Sequence, residues 1–317
     1  MTRETLTLTL TGRRALSSRV VELTLSARDQ QPLPKAPAGS HLEITLPDGL
    51  VRHYSLLDDG TSDSYRIGVL REQHSRGGSA FLTDPQSDGI CLTTSLPLDR
   101  FPLDEGGKRQ ILIGGGIGIT PIMAMARQLS LQGVTPEVHY LVRHADDAAF
   151  AAELGALLPD NALRLHVSSQ QGRVALASLI GTVDADTRIH ACGPESLLAA
   201  LEDTAREWPE GCLRLERFRG VAADDTPRAG HCHVVLQRTG KDFTLAPDES
   251  LLDGLSRVGA APPTLCGEGA CGTCACGVLE GDVDHRDVLQ SDSEKAANTT
   301  LYACVSRPAG DHLVLDV

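Results

Sequence analysis

Three of this chain's nine cysteines fall in one short run, Cys266-Gly-Glu-Gly-Ala-Cys271-Gly-Thr-Cys274, and a fourth, Cys304, follows thirty positions later. The pattern C-x4-C-x2-C and then a distant cysteine is the plant-type ligand spacing of a [2Fe–2S] cluster. Each iron takes two thiolates, so one tight loop must wrap the cluster while a remote strand end closes it. Gly267, Gly269 and Gly272 suit such a loop, where the backbone curls close and aims N–H groups at sulfur. A zinc site would more naturally show two C-x2-C pairs, and this chain has one. One-electron chemistry is therefore expected, with Cys266, Cys271, Cys274 and Cys304 as the metal ligands.

At 317 residues the chain is long enough for two or three domains. The N-terminus alternates polar and apolar residues like a first strand and lacks the regions of a signal peptide. With no export signal, nine cysteines point to a reducing cytoplasm and to metal use rather than a disulfide framework. No apolar run reaches the length of a membrane span, and a net charge of −13 argues against a nucleic-acid partner. From Cys232 to Val317 six basic residues face thirteen acidic ones, a net of −7. That surplus fits either a solvated acidic surface or a docking face that speeds encounter with a redox partner.

Three textures follow one another. Residues 1–105 hold short alternating stretches, Thr5–Leu10, Val20–Leu25, His41–Leu46 and Tyr65–Leu70, broken by Gly, Pro and Asp turns. They predict a small antiparallel barrel or sandwich. Residues 106–220 alternate strands (Gln110–Ile113, Glu137–Val142, Arg164–Val167, Arg188–Cys192) with helices (Pro121–Leu131, Asp147–Leu158, Glu195–Glu207), which predicts a parallel, doubly wound α/β sheet. Residues 221–231 are small and polar and read as a linker. Residues 232–317 hold strands at His233–Arg238, Asp242–Ala246 and His312–Val317 and a helix at Ser250–Val258, and resemble a β-grasp ferredoxin.

Two Gly-containing turns sit at strand ends of the middle segment. Gly114-Gly115-Gly116-Ile117-Gly118-Ile119-Thr120-Pro121 leads into a helix, with Thr120 as N-cap and Pro121 at the first helical position. It is either a phosphate cradle or only a tight turn. Ala191-Cys192-Gly193-Pro194-Glu195 opens another helix, and both turns belong at the carboxyl edge of the sheet. Cys192 alone is most simply a small buried thiol. In the first segment, Arg52-His53-Tyr54-Ser55-Leu56 puts Arg52, Tyr54 and Leu56 on one side of a strand and Ser55 on the other. Arg76-Gly77-Gly78-Ser79 can form an anion nest capped by a hydroxyl at a helix start, or a hairpin turn.

In this order, R-x-Y-S-L, R-G-G-S, G-G-G-I-G-I-T-P, C-G-P-E and the cysteine set, the chain resembles the phthalate dioxygenase reductase family over essentially its whole length. These are single-chain FMN, nicotinamide and iron–sulfur reductases serving Rieske oxygenases, and the vanillate demethylase and carnitine monooxygenase reductases are similar. The resemblance implies an FMN-binding antiparallel β-barrel domain, an NAD-binding domain and a plant-type ferredoxin domain. It makes Arg52 a phosphate ligand, Tyr54, Ser55 and Leu56 flavin neighbours, and Gly77, Gly78 and Ser79 the FMN phosphate loop. NADH falls to Gly115, Gly116, Gly118, Thr120, Pro121, Arg143, Gly193, Pro194 and Glu195, with Cys192 beside the nicotinamide ring and Phe218 near the flavin. The implied partner is a terminal Rieske oxygenase, the implied chain a monomer. Cys91, Cys212, Cys232 and Cys276 are expected to be structural, and no histidine receives a catalytic role.

The family's electron order, NADH to FMN to cluster, follows from chemistry: a flavin alone takes a hydride and gives up single electrons. Arg143, His144, Ser168, Ser169 and Arg173 follow strand ends where an Arg can accept a 2′-phosphate, which favours NADPH; the resemblance favours NADH. Two other functions fit the motifs: an FAD-containing ferredoxin–NAD(P) reductase-like enzyme with a fused cluster domain, and an electron-carrier subunit that oxidises no nicotinamide.

Overall fold

The computed structural model describes residues 4–28, 32–59, 63–73, 77–218, 230–264, 267, 269 and 271–317. The residues divide into two compact units, Met1–Arg217 and Phe218–Val317. The expected linker, apart from residues 230 and 231, lies outside the described residues, as do Arg76 and Cys266.

The first unit begins with seven antiparallel strands: β1 (Thr5–Ala15), β2 (Val20–Ala27), β3 (Ser40–Thr45), β4 (Val51–Ser55), β5 (Ser64–Leu70), β6 (Cys91–Ser95) and β7 (Leu98–Asp99). Their order is β4-β3-β6-β1-β2-β5, with β7 on β3, and a bridge from Leu56 to Ile67 joins the two outer strands. Closure turns the sheet into a barrel and removes its edges. The period-2 pattern explains the filling: Leu8, Leu10, Leu23, Leu25, Leu42 and Ile44 point inward and are buried. One short helix, α1 (Gly78–Thr83), follows β5.

The rest of the first unit is a five-stranded parallel sheet of β8 (Arg109–Gly115), β9 (Glu137–Val142), β10 (Leu163–Val167), β11 (Thr187–Cys192) and β12 (Leu213–Glu216), in the order β10-β9-β8-β11-β12. Helices α2 (Ile119–Leu131), α3 (Ala151–Leu157), α4 (Ser168–Gln171), α5 (Leu176–Ile180) and α6 (Glu195–Thr204) connect the strands. Chain order runs outward from β8 toward β10 and then reverses to β11, so the topological switch point lies between β8 and β11. An ion network ties this sheet to the barrel: Arg66 bonds Glu22 at 2.7 Å and Glu153 at 2.9 Å, and Arg127 reaches Glu153 at 3.0 Å. Although burial opposes it, Arg66 and Arg14 hold the Glu22 carboxyl below the usual range.

The second unit is a mixed sheet of β13 (Cys232–Leu236), β14 (Lys241–Leu245), β15 (Ala275–Glu280), β17 (Thr300–Tyr302) and β19 (His312–Asp316), in the order β14-β13-β19-β15-β17. The two short strands β16 (Val283–Asp284) and β18 (Arg307–Pro308) pair beside it. β13 forms a hairpin with β14 and runs parallel to the last strand, β19. Helix α7 (Leu251–Arg257) covers one face through Leu251 and Leu255, and α8 (Asp292–Ala297) precedes β17. This is the β-grasp arrangement. Among the described residues no helix is long and apolar enough to cross a membrane.

Candidate functional site

β8 is buried along Gln110–Gly115, as a strand flanked on both faces must be, and its two terminal glycines with Gly116 just beyond let the chain turn at once. Gly116 has φ +54, and Gly116–Gly118 forms one 3-10 turn before α2 begins at Ile119. The expected cap is therefore displaced. Gly118 is the N-cap; Thr120 lies inside the first turn, where its Oγ1 donates to the Ile117 carbonyl at 2.9 Å. Pro121 is the third helical residue, where its missing N–H costs nothing because first-turn donors have no intrahelical acceptor.

The two Gly-containing turns meet. A Cβ on Gly118 would lie 2.4 Å from the Cys192 carbonyl oxygen, and one on Gly193 would lie 3.0 Å from the Gly115 Cα. A Cβ on Gly115 would strike Pro194 at 2.8 Å. Only glycine permits this approach at the switch point. Beside the seam opens a cavity of about 520 Å³, within the range of small-molecule sites. Gly115, Gly116 and Pro194 line one end, Arg143, His166 and Ser168 the other. Gly118, Thr120 and Pro121 are buried behind the turn and support it rather than line the cavity. Glu195 is turned to Arg217, 3.1 Å away.

Cys192 is fully buried at the end of β11, opposite Glu216 of β12 in the parallel register. Burial, with the Glu216 carboxyl as hydrogen-bond partner, pushes the Cys192 thiol well above its ordinary range. Burial likewise pushes Glu216 up to about 8. Its second carboxyl oxygen has no hydrogen-bond partner among the described residues. An unmatched buried acceptor beside a thiol fits a ligand that brings an N–H group, such as a nicotinamide carboxamide. Sequence reasoning missed Glu216; the alternation Leu213-Arg-Leu215-Glu216 was the available signal.

The barrel motifs also converge. A Cβ on Gly78 would lie 2.7 Å from Arg52 Cγ, so the arginine stem runs across the start of α1. Gly77 holds φ +98 just before that helix. The Ser79 hydroxyl, expected as the cap, is instead inside the helix and accepts the Glu72 N–H at 3.1 Å. Tyr54 is half-buried against the barrel core, and Leu56 is part of that core rather than of its surface. Ser55 is buried with its Oγ unmatched among the described residues, which leaves a hydroxyl for a flavin edge. On β3 and β4, His41, Glu43 and His53 hold their ligand atoms within 4.8 Å of one another, Glu43 and His53 at 4.0 Å. Tetrahedral nitrogen and oxygen ligands sit roughly 3.3 Å apart for bonds near 2.05 Å, so the grouping lacks the spacing of a closed coordination sphere, and burial holds the His41 ring down to about 3.

In the second unit Cys271 and Cys274 are buried, and Cys274 Sγ lies 3.2 Å from Cys304 Sγ. Two sulfurs on one tetrahedral metal sit roughly 3.7 Å apart for bonds near 2.3 Å, so a small separation of this pair would let both thiolates reach one iron. Thr273 Oγ1 donates to Cys271 Sγ at 3.3 Å, a bond that favours a thiolate. Gly267, Gly269 and Gly272 all have positive φ, as the wrapping loop requires. Cys276 is buried behind the loop, and burial pushes its thiol up to about 11. Cys212 and Cys232 are buried as expected of structural thiols, whereas Cys91 is exposed on β6 beside Thr9.

Residues 234–309 match the family of 2Fe-2S iron-sulfur cluster binding domains. The chain is 39% identical over 313 residues to a toluene-4-sulfonate monooxygenase system reductase subunit of Comamonas testosteroni, covering 98% of each. It superposes on a phthalate dioxygenase reductase structure, described as a modular structure for electron transfer from pyridine nucleotides to [2Fe-2S], with TM-score 0.76 and 32% identity over 99% of this chain and 98% of that one. The chain belongs to the phthalate dioxygenase reductase family. The same fold recurs in an intact type IV self-sufficient cytochrome P450 monooxygenase, at TM-score 0.79 and 33% identity, where 99% of this chain covers 41% of that longer one. The reductase is thus an oxidoreductase component of an oxygenase system, with a [2Fe–2S] domain behind flavin- and pyridine-nucleotide-binding parts. Its seam, cavity and cysteine loop occupy the matched regions.

Proposed function

We propose that the reductase oxidises NADH, carries FMN, and delivers electrons singly through its [2Fe–2S] cluster to a Rieske-type terminal oxygenase, acting as a cytoplasmic monomer. When bound, a flavin supplies the exchange between a two-electron hydride donor and a one-electron acceptor. The chain's residues supply position. Gly115, Gly116 and Pro194 seat the dinucleotide at the switch point, with Gly118, Thr120, Pro121 and Gly193 shaping the turn. Arg143 bounds the adenosine end, and Glu195 braces Arg217. Cys192 and Glu216 offer a dry, protonated pair to the nicotinamide amide. Arg52, Gly77, Gly78 and Ser79 form the phosphate end of the flavin site, Tyr54 and Ser55 flank its ring, Leu56 backs Tyr54, and Phe218 lies near the ring. Cys266, Cys271, Cys274 and Cys304 hold the cluster.

The observation that carries this reading is the seating of the Arg52 stem on Gly78, which joins two motifs distant in sequence at one short helix start. Among the described residues Arg52 brings a guanidinium to this helix start, which suits a phosphate group. A plant-type cluster near about −400 mV can pass electrons downhill to a Rieske centre, whose potential lies roughly between −150 and +300 mV. The acidic surplus of the second unit suits an encounter surface for that partner.

Mass spectrometry of the flavin released from holoprotein is expected to give FMN, and NADH is expected to drive rapid cytochrome c reduction by the isolated chain. FAD would sink the cofactor assignment; absent NADH oxidation would favour an electron-carrier subunit.

A further inference from the structure

Where a dinucleotide lies across the carboxyl edge of a parallel sheet, its pyrophosphate sits on the Gly-containing turn and its adenosine ribose beyond the neighbouring strand ends. In this chain those ends belong to β9 and β10. An acidic side chain there binds the free 2′-hydroxyl and repels a 2′-phosphate; an arginine does the reverse.

The wall at this end of the cavity carries Arg143 after β9, and Ser168 and Arg173 around α4. Ser168–Gln171 immediately after β10 contains no acid. The turn is held by backbone: Ser169 N–H donates to the Arg143 carbonyl at 2.9 Å, Gly172 N–H to that of Ser168 at 3.0 Å, and Gly172 takes φ +75. These bonds fix the two arginine-bearing segments against each other. His166, also on the wall, is pinned by its ring nitrogen 3.1 Å from His139. Among the described residues Asp147 is the single acidic lining residue, and its carboxylate accepts the His144 N–H at 3.3 Å within a local turn. Two guanidiniums and a neutral hydroxyl therefore line the wall where an NAD-selective site needs a carboxylate.

We infer that this end of the cavity accepts a 2′-phosphate as well as a free 2′-hydroxyl, so that NADPH serves the reductase beside NADH, with Arg173 and Arg143 as phosphate ligands and Ser168 as the permissive residue. The inference rests on the dinucleotide reading of the cavity. It concerns binding only, because the hydride leaves the same nicotinamide carbon in both nucleotides.

The test is isothermal titration of holoprotein with 2′,5′-ADP and with 5′-AMP at pH 7.5, beside kcat/KM for NADPH and NADH. The expected result is tighter binding of 2′,5′-ADP and an NADPH kcat/KM within tenfold of that for NADH. Arg173→Gln and Ser168→Asp should each lower the ratio of 2′,5′-ADP to 5′-AMP affinity about tenfold. Equal or weaker binding of 2′,5′-ADP, with NADH still oxidised, overturns the inference and leaves the dinucleotide site standing. Failure of both ligands to bind, with no NADH oxidation, overturns the dinucleotide reading itself and the inference with it.

Discussion

Glu216 shows how one residue can escape a motif and still define a site. The alternation before it marks only a strand; the parallel register of β11 and β12 brings it against Cys192. Held up to about 8 by burial, it is mostly neutral at physiological pH. Its folded value lies above its ordinary 4.5, so its stabilising contribution is complete below about pH 4.5 and is lost as the pH rises toward 8. Glu216→Gln removes that loss. The drop in Tm between about pH 5 and pH 8 should shrink in the variant by scanning calorimetry, and an undiminished drop would mean that the carboxyl ionises freely. His190 works in the opposite direction. Burial, then Arg214, hold its ring down to about 4, and its Nε2 accepts the Asp104 N–H at 3.0 Å, so its contribution is present above about 6.5 and lost as the pH falls toward 4.

At the scale of elements, the strands that alternate cleanly were legible in the sequence. Glu137–Val142 is observed at its expected bounds, and the barrel strands differ by a few residues at their ends. Helix starts were less so. The expected cap at Thr120 fails because a 3-10 turn consumes Gly116–Gly118, and only the backbone angle at Gly116 reveals it. β15 and α8 were passed over because cysteines and acids obscure their periodicity. Yet α8 carries a readable start: the Ser291 hydroxyl accepts the Glu294 N–H and the Glu294 carboxylate accepts the Ser291 N–H, a capping box. Ser291→Ala should cost about 1 kcal/mol. Loss of iron–sulfur absorbance in urea is the readout, and an unmoved midpoint would show that α8 contributes nothing to the second unit. The motifs of the site were legible as motifs; which of them touch was not, because contact between Gly118 and Cys192 depends on strand order.

For the whole molecule, the division at Arg217 and Phe218 separates nucleotide chemistry from the cluster. Each unit has its own buried core, so each is expected to fold alone. A chain ending at residue 229 should bind flavin and reduce ferricyanide with NADH, while lacking iron–sulfur absorbance and transferring poorly to cytochrome c. A flavin-free or insoluble product would show that the first unit depends on the second.

The glycine seam between β8 and β11 also sets where this cavity can be redesigned. At Gly115, Gly118 and Gly193 even a methyl group collides with backbone or a proline ring, so that end admits no variation in side chain. Ser168, by contrast, opens a four-residue turn held by main-chain bonds, and Arg173 follows just beyond its Gly172 cap, so this segment tolerates exchange of what it displays. The cavity thus has an immutable end and an editable one, and directed changes of nucleotide preference belong at the second.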